Sequence, residues 1–599
     1  MALFTPSESP AIVVKEIDLS GVVPNVQSTT GAIVGKFRWG PVEVATQVDN
    51  ETTLAATFGT PNDAGAVDFL SAAYFLKYSN DLQVVRVVDA DSAVGSLSAR
   101  NARYPRLNEK APLVKNNEHF STQLASLDSA KQVFIAKYPG ELGNSLRISV
   151  CKPSGYTLAD SASTFVLTDS SYSGWTYKSY FDGPPRTSDF AASRNAKYDE
   201  VHLIVVDEDG LISGTKGTVL ETFPYMSLGT NAKLTDGTTN YIMDVVNKRS
   251  SYIKLASFGT IGSLFDSAAG TTLDSGDNFW SPVVSDNILT ISLDSGNDGG
   301  ALTNANYITG NALFADKDTI TVDFLIAPGL ASQTDQTTVV NNLVSVATAR
   351  KDCVVVASPN RNAIVNNGAA NIVPDTLTTA ATFTNSSYLF TDNNYLKVYD
   401  KYNDKYVFIP AASSTAGLMA ATDANAAPWF SPAGSRRGAY LGITSLAYTP
   451  SKAQRDTLYK ASVNPVANIP GQGVLLFGDK TGLLRPSAFD RINVRRLFLT
   501  IERAIALAAR NVLFEFNDEF TRAEFVNIVE PFLREIQGRR GITDFRVVCD
   551  ETNNTPAVVD RNEFIASIFV KPARSINYVT LNFVAVRTGV DFEEVVGTV

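Results

Sequence analysis

The sequence predicts a multidomain protein of mixed α/β and α+β class with extended terminal arms, and three observations carry that expectation. A strand–helix–strand rhythm occupies residues 31–88 and returns at 320–357. Between them, from about 93 to 304, Ser, Thr, Gly, Asn and Asp rise and short apolar runs sit among long polar stretches. From 451 onward, amphipathic helical patterns and two strands lead into a last alternating segment far longer than an ordinary strand. A length of 599 residues allows about three to five domains. The expected division is an extended arm at 1–24, a discontinuous α/β middle domain from 25–92 plus 305–450, and a mostly β outer insertion at 93–304. A compact α+β inner domain follows at 451–585, then a C-terminal arm at 586–599.

The elements follow in chain order. Pro6, Pro10 and Pro24 forbid a helix in the first arm, while Ala11–Ile17 is short and β-prone; such a segment at a terminus frays unless it finds a partner edge. Residues 31–48 read as two strands around the Gly40-Pro41 turn. Asp68–Tyr78 has helical spacing and Leu82–Val88 reads as a strand, which points to an α/β layer. Within the insertion, Val133–Ala136, Leu146–Val150 and His202–Val206 are strand candidates; polar loops of this kind tolerate length changes at small thermodynamic cost. Ile320–Ile326, the helical stripe of Val339, Val340, Leu343 and Val346 within Asp335–Arg350, and Cys353–Ala357 form a crossover unit whose strands should be parallel.

In the last module, Lys452–Ala461 is helix-like, and Asn493–Arg510 places Leu497, Ile501, Ile505 and Ala508 on one stripe. Thr521–Gln537 opens with the capping-box pair Thr521 and Glu524 and carries Pro531, which should kink it. Strands are expected at Phe545–Cys549 and Phe564–Val570. The final strand, Ser575–Arg587, alternates Val579, Leu581, Phe583 and Ala585 with polar residues; its length is about 40 Å at ~3.3 Å per residue, over twice the usual strand.

Composition excludes several function classes. The net charge is −10 and the pI about 5.0, so no bulk electrostatic term favours nucleic acid. No apolar run approaches the ~20 residues of a membrane span, and MALFTPSESP lacks the basic and apolar regions of a signal peptide. Cys151, Cys353 and Cys549 are far apart in apolar runs and read as buried free thiols.

Three features could carry chemistry, and each has a plainer reading. Asp479-Lys480-Thr481-Gly482 matches the phosphorylated aspartate motif of P-type ATPases, but the chain lacks their membrane segments, and a surface turn after Val474–Phe477 explains it as well. Residues 294–299, DSGNDG, resemble a calcium loop. With Asp294 as first position, Gly296 stands third and Ala305 twelfth, where the EF-hand needs an oxygen-bearing side chain and a bidentate glutamate; a polar turn is favoured. His119 and His202 are the only histidines and stand in no metalloprotease spacing. There is no P-loop and no nucleophile elbow. No catalytic, cofactor-binding or metal-ligating residue is therefore assigned.

Arginine is the remaining signal. From Lys480 to Val599 there are 16 Lys and Arg, 14 of them Arg, balanced by 16 Asp and Glu. The planar guanidinium pairs with carboxylates through two bonds, which suits contacts to other chains. Arg491, Arg495 and Arg496 stand at a helix N-terminus, where cations oppose the macrodipole. Arg539, Arg540 and Arg574 complete the candidate interface set. Glu502, Glu519, Glu524 and Glu535 are interleaved with these residues and would repel a polyanion, so protein–protein ion pairs are favoured; for any single arginine a solvated helix face remains open.

These residues also carry a resemblance. FDRINVRRLF (Phe489–Phe498), VVCDETNNTPAVVDRNEF (Val547–Phe564) and PARSINYVTLNFVA (Pro572–Ala585) closely resemble the tail sheath family of contractile-tailed bacteriophages, the T-even type in particular. So do KAQRDTLY (Lys452–Tyr459), WFSPAGSRRG (Trp429–Gly438), VYDKYNDKYVFIP (Val398–Pro410), AIVGKFRWGP (Ala32–Pro41), NDLQVVRVVD (Asn80–Asp89) and YPGELGN (Tyr138–Asn144). The resemblance covers residues 9–90, patches between 133 and 156, and nearly everything after 320. Residues 93–132 are shorter than their T-even-type counterpart, and 157–310 match poorly.

The resemblance implies a structural subunit without enzymatic activity or cofactor. It would polymerise with itself as stacked six-subunit rings around a tail tube protein, meet baseplate and tail terminator proteins, and contact neither nucleic acid nor membrane directly. Its place would be the virion tail, assembled in the host bacterial cytoplasm. Its terminal arms would add strands to neighbouring subunits, with Ile12, Val14 and Glu16 in the first arm and Val584, Val586, Phe592 and Val595 in the last. Two other readings stand beside it: the sheath of a phage-derived bacteriocin or secretion device, and a cytosolic α/β hydrolase or phosphotransferase using Asp479.

Overall fold

A computed structural model describes residues 28–90, 98–104, 111–130, 132–153, 156–159, 164–167, 170–258, 269–274 and 288–576. The first arm with Ile12, Val14 and Glu16, nearly all of the expected strand Ser575–Arg587, and Val584, Val586, Phe592 and Val595 lie outside them. The described residues divide into two compact units, one within 28–426 and 432–490, the other within 427–431 and 491–576.

The large unit is organised by a six-stranded sheet in the order Leu389–Thr391, Val354–Ala357, Phe324–Ile326, Gly31–Gly35, Leu82–Arg86, Ala45–Val48. Each neighbouring pair is parallel except the last. Strands buried on both faces need apolar residues at every position, and Gly31–Gly35 and Val354–Ala357 are buried throughout. Helix Gln333–Arg350 joins two parallel strands and buries Val339, Val340, Leu343, Val344 and Ala347 against Ala32, Val34, Val85 and Leu325. The two strands expected around Gly40-Pro41 both form, but Leu82–Arg86 lies between them.

Helix Ala411–Asn425 has no counterpart in the sequence reading. Its run from Ala411 to Ala420 is buried on all sides and, apart from Leu418 and Met419, made of small residues, which leaves no amphipathic period to detect. A Cβ at its Gly417 would lie 2.4 Å from the Tyr78 ring; only glycine permits that approach.

The region 93–304 contributes an antiparallel sheet, Thr218–Ser227, Glu200–Asp207, Leu146–Cys151, Ile288–Ser292, and a three-stranded one, Ile253–Leu255, Phe134–Ala136, Arg103–Tyr104. Helices Asn117–Ser129 and Ile242–Arg249 accompany them. Its apolar cluster includes Trp39 from the first α/β segment, so the insertion shares a core with the layer that carries it.

The small unit packs helices Ile492–Ala509 and Glu519–Gly538 on the antiparallel hairpin Ile542–Val548 with Ser567–Pro572. Its core joins Trp429, Leu497, Ile501, Ile505, Phe525, Val529, Leu533 and Ile536. Two expectations are corrected here. Residues 451–490 belong to the large unit, not to the C-terminal module: Asn464 Nδ2 donates to the Thr391 carbonyl (3.0 Å), Asn393 Oδ1 accepts from Val466 N (2.7 Å), and Gly482 N donates to Leu389 O (2.7 Å). The second long helix starts at Glu519, with Asp518 as its cap accepting from Thr521 N at 2.8 Å. Thr521, expected to cap, is one turn inside, and the helix runs on through Pro531.

Candidate functional site: surfaces and buried polar clusters

The candidate interface arginines separate by burial. Arg495 and Arg496 are 7% and 4% exposed, because the apolar stripe of helix Ile492–Ala509 is broad at its first turns and takes Ile492, Val494 and Leu497 inward with them. The free surface expected of these two side chains does not exist in the subunit. Arg491 is half-buried as the residue preceding that helix. Arg539, Arg540 and Arg574 are exposed. Arg539 lies over the Trp429 ring at 5.1 Å and reaches Glu535 Oε1 at 3.5 Å, while its carbonyl accepts from Trp429 Nε1 at 3.1 Å. Arg540 turns the chain out of the helix at φ 67°. The six residues therefore differ in standing: three are exposed, Arg491 is half-buried, and Arg495 and Arg496 are buried.

The sequence reading missed another surface. Phe514 and Phe516 project from the connection between the two long helices at 104% and 84% exposure, and Phe520 from the first turn of the second at 76%, with Leu513 beside them. The signal was legible as aromatic residues alternating with acids in LFEFNDEF (513–520). Nothing in residue periodicity said that this run would connect the two helices and end in the exposed first turn of the second.

The motifs considered for chemistry are wired into the structure. Asp479 and Thr481 are buried, not on a surface turn. Asp479 Oδ1 accepts from the Tyr459 hydroxyl (3.2 Å), Lys480 Nζ donates to Tyr459 O (2.7 Å), and Thr481 Oγ1 donates to Phe489 O (2.8 Å). In the 294–299 loop, Asp298 spends its oxygens on Glu141 N (2.8 Å) and Asn62 Nδ2 (3.0 Å), and Asn144 bonds Gly296 through both its amide atoms. The loop is a strap across the 138–144 turn. Gly140 in that turn has φ 142°, and a Cβ there would meet Arg38 O at 2.8 Å and Asp298 Oδ1 at 2.9 Å. Among the described residues, no group of three or more His, Cys, Asp or Glu side chains is placed to hold a metal ion. None of their helices is long and apolar enough to cross a membrane.

Both histidines take structural places. His119 Nδ1 accepts from Lys115 N at 3.2 Å. His202 is fully buried, stacked on Phe181 at 4.4 Å; its Nδ1 accepts from Tyr225 N (3.0 Å), so Nε2 carries the proton and donates to Gly183 O (2.8 Å). Burial lowers its pKa to about 4. Cys151, Cys353 and Cys549 are buried single thiols, and burial pushes Cys151 up to about 12.

In open α/β sheets, ligands usually occupy the crevice beyond the carboxyl ends of the parallel strands. Here side chains fill that position. Gln336 Nε2 donates to the Pro328 and Ser358 carbonyls (2.8 and 2.9 Å), and the Tyr395 hydroxyl donates to Pro359 O (3.0 Å). Asp392, buried and raised to about 7 by desolvation, accepts from Ser358 Oγ (2.8 Å), Asn394 N (3.2 Å) and Thr415 Oγ1 (3.4 Å). The arrangement tethers strand ends to helix Ala411–Asn425.

Comparison with known proteins completes these observations. Residues 485–585 match the family model of the phage tail sheath C-terminal domain, 300–482 that of the phage tail sheath protein central domain, and 28–87 that of the tail sheath protein Gp18 domain III N-terminal region. The chain is 32% identical to the tail sheath protein of Enterobacteria phage T4, over 98% of this chain and 99% of the relative. The figures are the same for the tail sheath protein of Vibrio phage KVP40. A solved sheath tail protein from Listeria innocua has a similar fold, with TM-score 0.51 at 14% identity, covering 91% of this chain and 96% of that one.

Proposed function

The chain belongs to the tail sheath protein family of contractile phages, and from that premise we propose that its copies stack as six-subunit rings around a tail tube, linked by strands exchanged through the terminal arms. The protein is a structural component of the virion tail. One observation carries this: identity of 32% maintained over 98% of the chain with proteins of that single role. The bacteriocin or secretion-device alternative and the hydrolase alternative have no comparable support.

The finer assignments follow from the sequence and the local geometry. The small unit ends, within the described residues, on a two-stranded hairpin; such an edge has unpaired backbone donors and acceptors ready to take an added strand. The alternating segments around Ile12, Val14 and Glu16 and around Val584, Val586, Phe592 and Val595 suit that role in a neighbouring subunit. Arg491, Arg539, Arg540 and Arg574 are the accessible cations for ion pairs with adjacent copies or with the tube. Baseplate and tail terminator proteins would cap the polymer, after assembly in the host cytoplasm. Contraction would exchange one set of these contacts for another, with no nucleotide taking part.

Electron microscopy of the purified full-length protein tests the reading. Tubes or stacked rings are expected, and Arg540→Glu with Arg574→Glu should leave the monomer folded while reducing their yield. Dispersed monomers under all assembly conditions would refute self-polymerisation. Wild-type yield from the double variant would remove these arginines from the interface.

A further inference from the structure

We propose that the acidic aromatic loop 513–520 of one copy docks on the outer face of the Ile542–Val548/Ser567–Pro572 hairpin of a second copy. The loop is not a loose tail. Asp518 caps the following helix, and Asn517 Nδ2 donates to Glu563 O at 2.8 Å. Phe514 is held at φ 73°, a left-handed conformation that is unfavourable for a bulky aromatic residue, and no described residue covers its ring. Three exposed phenylalanines on an anchored, strained loop mark an interaction surface, because water-exposed aromatic area of this size loses its solvation penalty only on binding.

The hairpin supplies the matching chemistry. Its inward face, Phe545, Val547, Ile568 and Val570, packs on the core. Arg546 and Phe569 are cross-strand partners, so they share the opposite face, where Phe569 is 60% exposed and Arg546 is exposed. The side chains of Arg546, Glu515 and Glu519 make no hydrogen bond or close ion pair with any described residue, although the Arg546 charge does act on Asp550. An aromatic segment bearing carboxylates thus meets an aromatic face bearing a guanidinium, and neither charge is hydrogen-bonded within the described residues. A second copy is the occupant because the complementary patches lie on one chain. Two different patches of one chain make a heterologous contact, which propagates into rings or open polymers rather than closing as a dimer. The inference rests on the self-assembly proposed above.

Charge exchange at the pair tests it. Glu515→Arg and Arg546→Glu should each lower the pelletable polymer at least about tenfold, whereas the double exchange should restore it to within about threefold of wild type. Melting temperature should be unchanged in all three. Single variants that polymerise normally, or a double variant no better than the worse single, would overturn the contact. Loss of polymer from the wild type itself would instead count against self-assembly. A second measurement does not need polymer. Phe516→Cys and Phe569→Cys chains, mixed and treated with a short bis-maleimide, should give a crosslinked dimer that neither chain forms alone, since the native thiols are buried. Absence of the mixed dimer at concentrations where wild type polymerises would also overturn it.

Discussion

Arg86 shows at the scale of one residue how a cation can be buried without a carboxylate touching it. Its Nε donates to Phe37 O (2.8 Å), Nη1 to Gly40 O (2.8 Å), and Nη2 to Pro139 O (2.7 Å) and Arg38 O (3.4 Å). Burial lowers its pKa to about 10, so it remains charged at neutral pH. The planar fork satisfies carbonyls from two separate turns, which a lysine cannot reproduce. Arg86→Lys should destabilise the large unit by on the order of 3 kcal/mol, seen as a lower denaturant midpoint. Two other buried groups set opposite pH responses. His202, lowered from 6.5 to about 4, binds its proton more readily when unfolded. Its contribution is complete above pH 6.5 and is lost as pH falls toward 4, roughly 3 kcal/mol in all. Asp392, raised from 3.8 to about 7, binds its proton more readily when folded, so its ionisation reduces stability as pH rises through 7. The melting-temperature difference between Asp392→Asn and wild type should therefore move in favour of the variant from pH 5 to pH 8. A difference independent of pH would show that Asp392 keeps an ordinary pKa.

At the scale of elements, helix Glu519–Gly538 depends on a cap one residue before it. Asp518→Ala should cost about 1 kcal/mol through loss of the bond to Thr521 N, and Thr521→Ala should cost less, because its hydroxyl is not the capping group. Equal losses from the two substitutions would return the capping role to Thr521. The other end of the helix turns through Arg540 at positive φ, with Gly541 N donating to Ile536 O at 2.9 Å. A Cβ at Gly541 would lie 2.6 Å from Ile536 Cγ2. This end is therefore closed by a backbone turn that also presents Arg539 and Arg540 outward.

At the scale of the whole molecule, the contacts that matter to a sheath lie between copies, so assembly and stability should be separable. Removal of residues 586–599 should leave circular dichroism and melting temperature nearly unchanged and abolish polymer. A large fall in melting temperature would mean that the arm serves its own subunit, and wild-type polymer would mean that it serves none. Purified protein should hydrolyse ATP no faster than a buffer blank; turnover removed specifically by Asp479→Asn would restore a catalytic reading of the buried Asp479.

The sequence by itself determined the α/β class, the return of the sheet after the insertion, the two long helices of the C-terminal module, and the family. Those features rest on periodic apolar patterns such as Val339, Val340 and Leu343, or on uninterrupted motifs, which are local and so visible along the chain. Only the tertiary structure decided which polar residues are buried. Arg495, Arg496, Arg86, Asp392 and Asp479 look like surface residues in one dimension, and become interior once a carbonyl, a hydroxyl or a broad helical face from elsewhere in the chain reaches them. The same holds in reverse for Phe514, Phe516 and Phe520. Apolar residues are ordinarily read as core; here the connection between two helices and the first turn of the second leave them exposed. Local spacing specifies secondary structure because it is a property of neighbours in sequence. Burial is a property of neighbours in space, and in this chain it takes Arg495 and Arg496 inward while Arg539, Arg540 and Arg574 stay exposed.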